Sequence, residues 1–170
     1  MVGGIGGGFD TPANKLYPRL CSDLKEIGIS SLRVKFRCPT DLAEAIVDVL
    51  IGIEFLKSEN LRDFALIGHS FGGVIVVQAA FNEKNVKTIV LLATQSYGVS
   101  PISLLSEGTS VLLIHGEADK TLPAGSSIYA YNLAHEPREI KIYRGAGHGL
   151  DEVSDKVYTK VKSWIKENLE

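Results

Sequence analysis

The sequence predicts an α/β fold built on a mostly parallel sheet with helices on both faces. Short runs rich in β-branched residues alternate with longer segments whose apolar residues recur every three or four positions. This alternation continues along the chain with no repeat, low-complexity tract or linker to divide it. Strands separated by helices imply parallel pairing and burial from both sides. At 170 residues the chain has the size of one domain with a real core, and residues 1–170 are read as a single unit.

A glycine-rich start, Gly3-Gly4-Ile5-Gly6-Gly7-Gly8, precedes a helix expected over Leu16 to Ile27. A first strand is expected over Ser30 to Phe36. The next helix runs from Asp41 to Lys57, with Thr40 as N-cap and Asp41, Glu44 and Asp48 marking its solvent stripe. Strands follow at Phe64 to Gly68, Val86 to Leu92, Val111 to His115 and Glu139 to Tyr143. Helices are expected at Phe71 to Phe81 and Ala124 to Leu133. The last helix spans Val153 to Leu169, with Val153, Val157, Val161, Trp164 and Ile165 on one face. In such sheets chemistry gathers at the carboxyl ends of the strands.

Composition narrows the function. Net charge is −2, which offers no electrostatic reason for a nucleic-acid or anionic membrane partner. Met1-Val2-Gly3-Gly4-Ile5 has neither a basic nor an apolar leader region, and runs such as Val74 to Val77 are too short to span a bilayer. Cys21 and Cys38 lack metal-ligand spacing and are too few for a disulfide framework, so both are read as reduced packing residues. The cytoplasm is the expected location. No metal or organic cofactor is called for.

Gly68-His69-Ser70-Phe71-Gly72 fits G-x-S-x-G, a strained strand-to-helix turn that lifts a serine hydroxyl clear of a sheet. Alone, the pattern is weak in so glycine-rich a chain. Its context strengthens it, because the strand Ala65-Leu66-Ile67 precedes it and a helix-forming run follows. Serine needs a base, and the base needs an orienting group. His148, in Gly145-Ala146-Gly147-His148-Gly149 just after the last strand, is the candidate base. His69 sits inside the turn, His115 is expected to support its own turn by hydrogen bonding, and His135 is read as a satisfied histidine without a chemical role. Asp119, just beyond Val111 to His115, is the candidate acid, with Glu117 its competitor on the same loop. Serine, acid and histidine then each follow a strand, in that order.

Acyl transfer develops a negative oxygen that needs preorganised N–H donors. The backbone N–H of Phe71 is one candidate, and Ile5 or Gly6 of the glycine-rich start is the other. Neither G-x-G-x-x-G nor G-x-x-x-x-G-K-[ST] is present, which argues against a phosphate loop. Phe9 and Tyr97, with Phe71, are candidates to line an acyl pocket.

Together these residues resemble the α/β-hydrolase superfamily, above all its small cap-less, dienelactone-hydrolase-like serine esterases. The resemblance runs from the glycine-rich loop through Leu32 to Arg37, the Gly68 to Gly72 elbow, His115-Gly116 to Asp119, and Gly147-His148-Gly149. It implies a three-layer α/β-hydrolase-like sandwich, here a minimal version lacking the N-terminal strands and a cap domain. It further implies a Ser70–Asp119–His148 triad acting on a small-molecule acyl substrate (an ester, thioester or related bond) without cofactor. Two departures stand out. Ser96 to Ser110 is too short for a cap, so the site should be open. Only Met1 and Val2 remain for the strand that the family places between Ser30–Phe36 and Phe64–Gly68, so a truncated start or direct pairing of those two runs is expected. The rival reading is a binding scaffold with an unassembled triad. Glu139 to Tyr143, as an exposed edge, offers pairing with a second copy as a homodimer.

Overall fold

The apolar runs form four strands lying side by side in chain order, all parallel: β1 (Phe64–His69), β2 (Val86–Leu92), β3 (Ser110–Gly116) and β4 (Arg138–Tyr143). Residues 1–169 are described by this computed structural model. Side-chain alternation sends Leu66, Leu91, Val111 and Leu113 to one face and Ile67, Val90, Leu92, Leu112 and Ile114 to the other. Both faces are covered, which is why β3 is buried along its whole length.

The first face carries α2 (Leu42–Ser58), α3 (Phe71–Phe81) and α4 (Gly125–Leu133). The second carries α1 (Pro12–Lys25) and α5 (Ser154–Leu169). Val157, Val161, Trp164 and Ile165 of α5 are buried, as the spacing predicts, and the Trp164 indole N–H donates to Thr88 Oγ1 at 2.7 Å. This is the three-layer α/β sandwich, and its helices and strands lie within a few residues of their predicted bounds. Only a five-residue 3-10 turn, Ser100–Leu104, occupies the stretch from Ser96 to Ser110, and no cap stands there.

Several local expectations need correction. Asp41, not Thr40, caps α2, its carboxylate accepting from Glu44 N at 3.1 Å. Asp48 does not face solvent. It is buried and bound by Arg37, through the guanidinium and through Arg37 N at 2.8 Å. Cys38 is exposed and does not pack in the core.

Ser30 to Phe36 forms no ladder. It is extended, with a single bridge at Val34. Nor does it pair with β1, because Val2 stands between the two, bridging Val34 on one side and Gly68 on the other, parallel to both. Val2 N donates to Ile67 O and His69 N to Val2 O. On the far side, Val34 N donates to Met1 O and the Met1 nitrogen to Leu32 O. Two residues supply only that much ladder. Toward the start of β1 the space is a cavity of about 200 Å³, lined by Leu24, Ile29, Val34, Ile53, Leu61 and Ile67 among others. No helix among the described residues is long and apolar enough to cross a membrane.

Candidate active site

Parallel strands bring the segments after β1, β3 and β4 to one edge of the sheet. After β1 the chain turns at Ser70, whose φ of 55° and ψ of −119° lie outside the regions favoured by L-residues. Gly68 permits this turn, since a Cβ there would stand 2.1 Å from the carbonyl oxygen of Gly72. Ser70 N donates to Leu92 O at 2.8 Å, tying the turn to the end of β2. The helix α3 begins at Phe71, and Ser70 provides no side-chain cap to its first-turn N–H groups. Of these, Gly73 N donates to Ser70 O at 3.0 Å.

After β3, Asp119 lies with its side chain fully buried. Its Oδ1 accepts from Thr121 N at 2.7 Å and Leu122 N at 2.9 Å. Its Oδ2 accepts from His148 Nδ1 at 2.7 Å and His115 Nε2 at 3.1 Å. Burial opposes the charge of this carboxylate. The bonds from Leu122, His148 and Thr121 outweigh burial and hold it below the usual carboxylate range. Glu117, the competitor, is exposed and makes no bond to His148.

After β4, the loop bearing His148 presses against the loop bearing Asp119. Glu117 N donates to Tyr143 O at 2.9 Å and Ala118 N to Ala146 O at 3.0 Å. Because a carboxylate only accepts, the 2.7 Å bond requires a proton on His148 Nδ1, so in the neutral ring it is Nε2 that carries the lone pair. The His148 side chain keeps 22% of its surface exposed, so that nitrogen can be approached. Ser70 Oγ makes no hydrogen bond to a described residue. It is linked to His148 through its neighbour: His69 Nε2 donates to His148 O at 2.9 Å, and the two rings lie 4.8 Å apart.

The glycine-rich start comes down on this turn. A Cβ at Gly4 would lie 3.5 Å from Ser70 Cβ and 3.7 Å from His69 Nδ1. Ile5 follows directly and is exposed, while Gly6 is turned toward the Asp10 carboxylate. Phe9 and Tyr97 are 57% and 81% exposed. The Phe9 ring lies under the Arg33 guanidinium, and Tyr97 stands on the loop after β2. His135 donates to Ser103 O at 2.8 Å, away from the site.

Two features escape sequence reasoning. One is the bond from His69 to His148 O, for which the turn motif offers no signal. The other is a left-handed turn at Ala13, Asn14 and Lys15 that holds the His148 loop from outside, with Ala13 N donating to Gly149 O at 2.7 Å and Asn14 N to Asp151 Oδ1 at 2.8 Å. Among the described residues, no group of three or more His, Cys, Asp or Glu could hold a metal ion.

A family model described as "Alpha/beta hydrolase family" matches residues 13–151. Among curated proteins none matches the sequence. Est1E from Butyrivibrio proteoclasticus superposes with a TM-score of 0.81 at 18% identity, covering 99% of this chain and 86% of that one. The same protein with ferulic acid bound gives 0.78 at 18% identity, over 99% and 87%. An alpha-beta serine hydrolase homologue from Coxiella burnetii gives 0.76 at 21% identity, over 96% and 84%. At such identities the likeness speaks for the fold.

Proposed function

Since this chain belongs to the alpha/beta hydrolase family and is a hydrolase, we propose that it is a serine hydrolase cleaving carboxylic esters, thioesters or related acyl bonds through Ser70, Asp119 and His148. One observation carries the reading. His148 Nδ1 is bound at 2.7 Å to a buried carboxylate, on a loop packed beside a serine held at positive φ. Asp119 fixes the tautomer and can stabilise the imidazolium, which leaves Nε2 as the base.

In the first step Ser70 Oγ attacks the carbonyl carbon and His148 takes its proton. The developing oxyanion is met by Phe71 N–H at the start of α3, with Ile5 or Gly6 as the second donor. His148 then returns the proton to the leaving group. Water attacks the acyl-enzyme with His148 again as base, releasing the acid and restoring the serine. The missing bond between Ser70 and His148 does not oppose this, because such contacts are often long before substrate binds. Phe9 and Tyr97, both exposed, are assigned to the open acyl site. The ferulic acid bound to Est1E makes a feruloyl ester a sensible member of the first substrate panel.

The test is fluorophosphonate labelling read by intact mass, with Ser70→Ala as control. A single adduct on the parent, lost in the variant, is the expected result. A folded parent that takes no adduct would transfer the reading to a binding scaffold with an idle triad.

A further inference from the structure

His115 is fully buried beneath the site, and nothing in the proposed acyl transfer uses it. Its Nε2 lies 3.1 Å from Asp119 Oδ2 and 3.1 Å from Leu122 O, and its Nδ1 lies 2.6 Å from Ser127 Oγ on α4. A carbonyl oxygen and a carboxylate oxygen can only accept, so Nε2 must carry a proton shared between them. Burial holds this imidazole below the usual histidine range, so Nδ1 is unprotonated and Ser127 donates to it.

We propose that His115 is a positioning residue for the triad, holding Asp119 Oδ2 in place for the Nδ1–H of His148 while Ser127 fixes the His115 ring. This rests on the reading of Asp119 and His148 as orienting acid and base. The geometry explains why a second donor is needed. Asp119 sits three residues beyond the end of β3, on a loop, and its two backbone donors restrain only Oδ1. Oδ2 is gripped from one side by His148 and from the other by His115. A neutral donor orients the carboxylate without cancelling its charge. A lysine or arginine there would neutralise the negative charge that the His148 imidazolium needs.

The comparison of His115→Gln with His115→Leu separates this role from simple packing. A glutamine amide can donate to Asp119 and Leu122 O and accept from Ser127, whereas leucine keeps bulk alone. Turnover of p-nitrophenyl acetate and the downfield proton resonance of His148 Nδ1–H in ¹⁵N-histidine-labelled protein are both read. In His115→Leu, kcat should fall on the order of tenfold to a hundredfold, the range seen for outer partners of metal-bound histidines. KM should stay nearly constant and the resonance should shift or broaden. His115→Gln should recover most of the parent kcat and the parent resonance. Equal losses in both variants, or a folded His115→Leu with parent kcat and resonance, would overturn the proposal. If His115→Leu does not fold, His115→Asn replaces it, since its amide is too short to reach Asp119 and must show the same loss. A parent that turns over no ester would sink the acyl-transfer reading, while the resonance comparison would still decide the role of His115.

Discussion

Asp119 accepts four N–H groups and donates to none, which makes it the most constrained side chain of the site. In Asp119→Asn any placement of the amide turns an NH₂ toward existing donors, whichever oxygen it replaces. The variant is expected to lose on the order of 10³- to 10⁴-fold in kcat, with little change in KM, because the tautomer of His148 is no longer enforced. It should also lose about 1–3 kcal/mol of stability, measured by urea titration, from unsatisfied buried groups. Retained activity would mean that Glu117 or water orients the histidine. Gly116 makes a second residue-scale prediction. A Cβ there would lie 2.2 Å from Ala146 O, where the two site loops meet. Gly116→Ala should therefore cost about 1–3 kcal/mol and reduce fluorophosphonate labelling of Ser70 together with the melting temperature. Sequence reading could single out Ser70, Asp119 and His148 as candidates because each lies just after a strand-like run, apolar before Ser70 and Asp119 and mixed before His148. The second donor to Asp119 was half legible: His115 invited a hydrogen-bonding role, but its partners depend on where Ser127 and Leu122 fall in space.

At the scale of elements, the left-handed turn at Ala13 to Lys15 is the least expected piece of backbone. Three consecutive non-glycine residues have φ between 46° and 66°, each disfavoured by about 1–2 kcal/mol for an L-residue. The turn persists because its polar groups close on the His148 loop: Asn14 Nδ2 donates to Asp151 O at 3.1 Å and approaches Ser154 Oγ at 3.3 Å, beyond the two backbone bonds described above. Asn14→Ala removes the side-chain bonds and puts in the left-handed region a residue less suited to it than asparagine. A loss of about 1–2 kcal/mol by thermal unfolding is expected, with faster hydrogen exchange over residues 147–152. Unchanged exchange there would show that the loop is held from inside alone. Nothing in the sequence near Asn14 announces this turn, since its partners lie more than 130 positions away. The buried strands and the periodic helices were legible for the opposite reason, because their pattern is local. Ser30 to Phe36 has strand composition, yet a ladder needs a partner of equal length, and Val2 offers one residue. Asp48 matched a solvent stripe by spacing, and the arrival of Arg37 from a separate segment reversed its environment.

At the scale of the whole molecule, the parallel sheet gathers its polar machinery at one end and buries much of it. His69 and His115 are both held below the usual histidine range, burial being the first cause for each. In the unfolded chain they titrate near ~6.5. Between that value and their lower folded values the unfolded chain binds more protons, so stability rises with pH in this window. Their contribution is complete above ~6.5 and is lost as the pH falls toward the folded values. Asp119 behaves differently. Its lowered carboxyl contributes stability that is present above the ordinary carboxylate value near ~3.9 and is lost only as the pH falls through its folded value, so it adds nothing to the histidine window. The buried Met1 amine, pushed down by burial to about 6, adds a loss of the same sign at higher pH. The melting temperature should therefore decline from about pH 8 to about pH 5, well before carboxylates protonate. In His115→Gln one of the two buried imidazoles is gone, and the slope over the same interval should be shallower even though the variant keeps the bond to Asp119. A melting temperature that rises on acidification, or a slope untouched by His115→Gln, would mean that these rings meet protons as freely in the folded protein as in the unfolded chain. The network beneath Asp119 would then be open to water, and the neutral state assigned to His115 would fail with it.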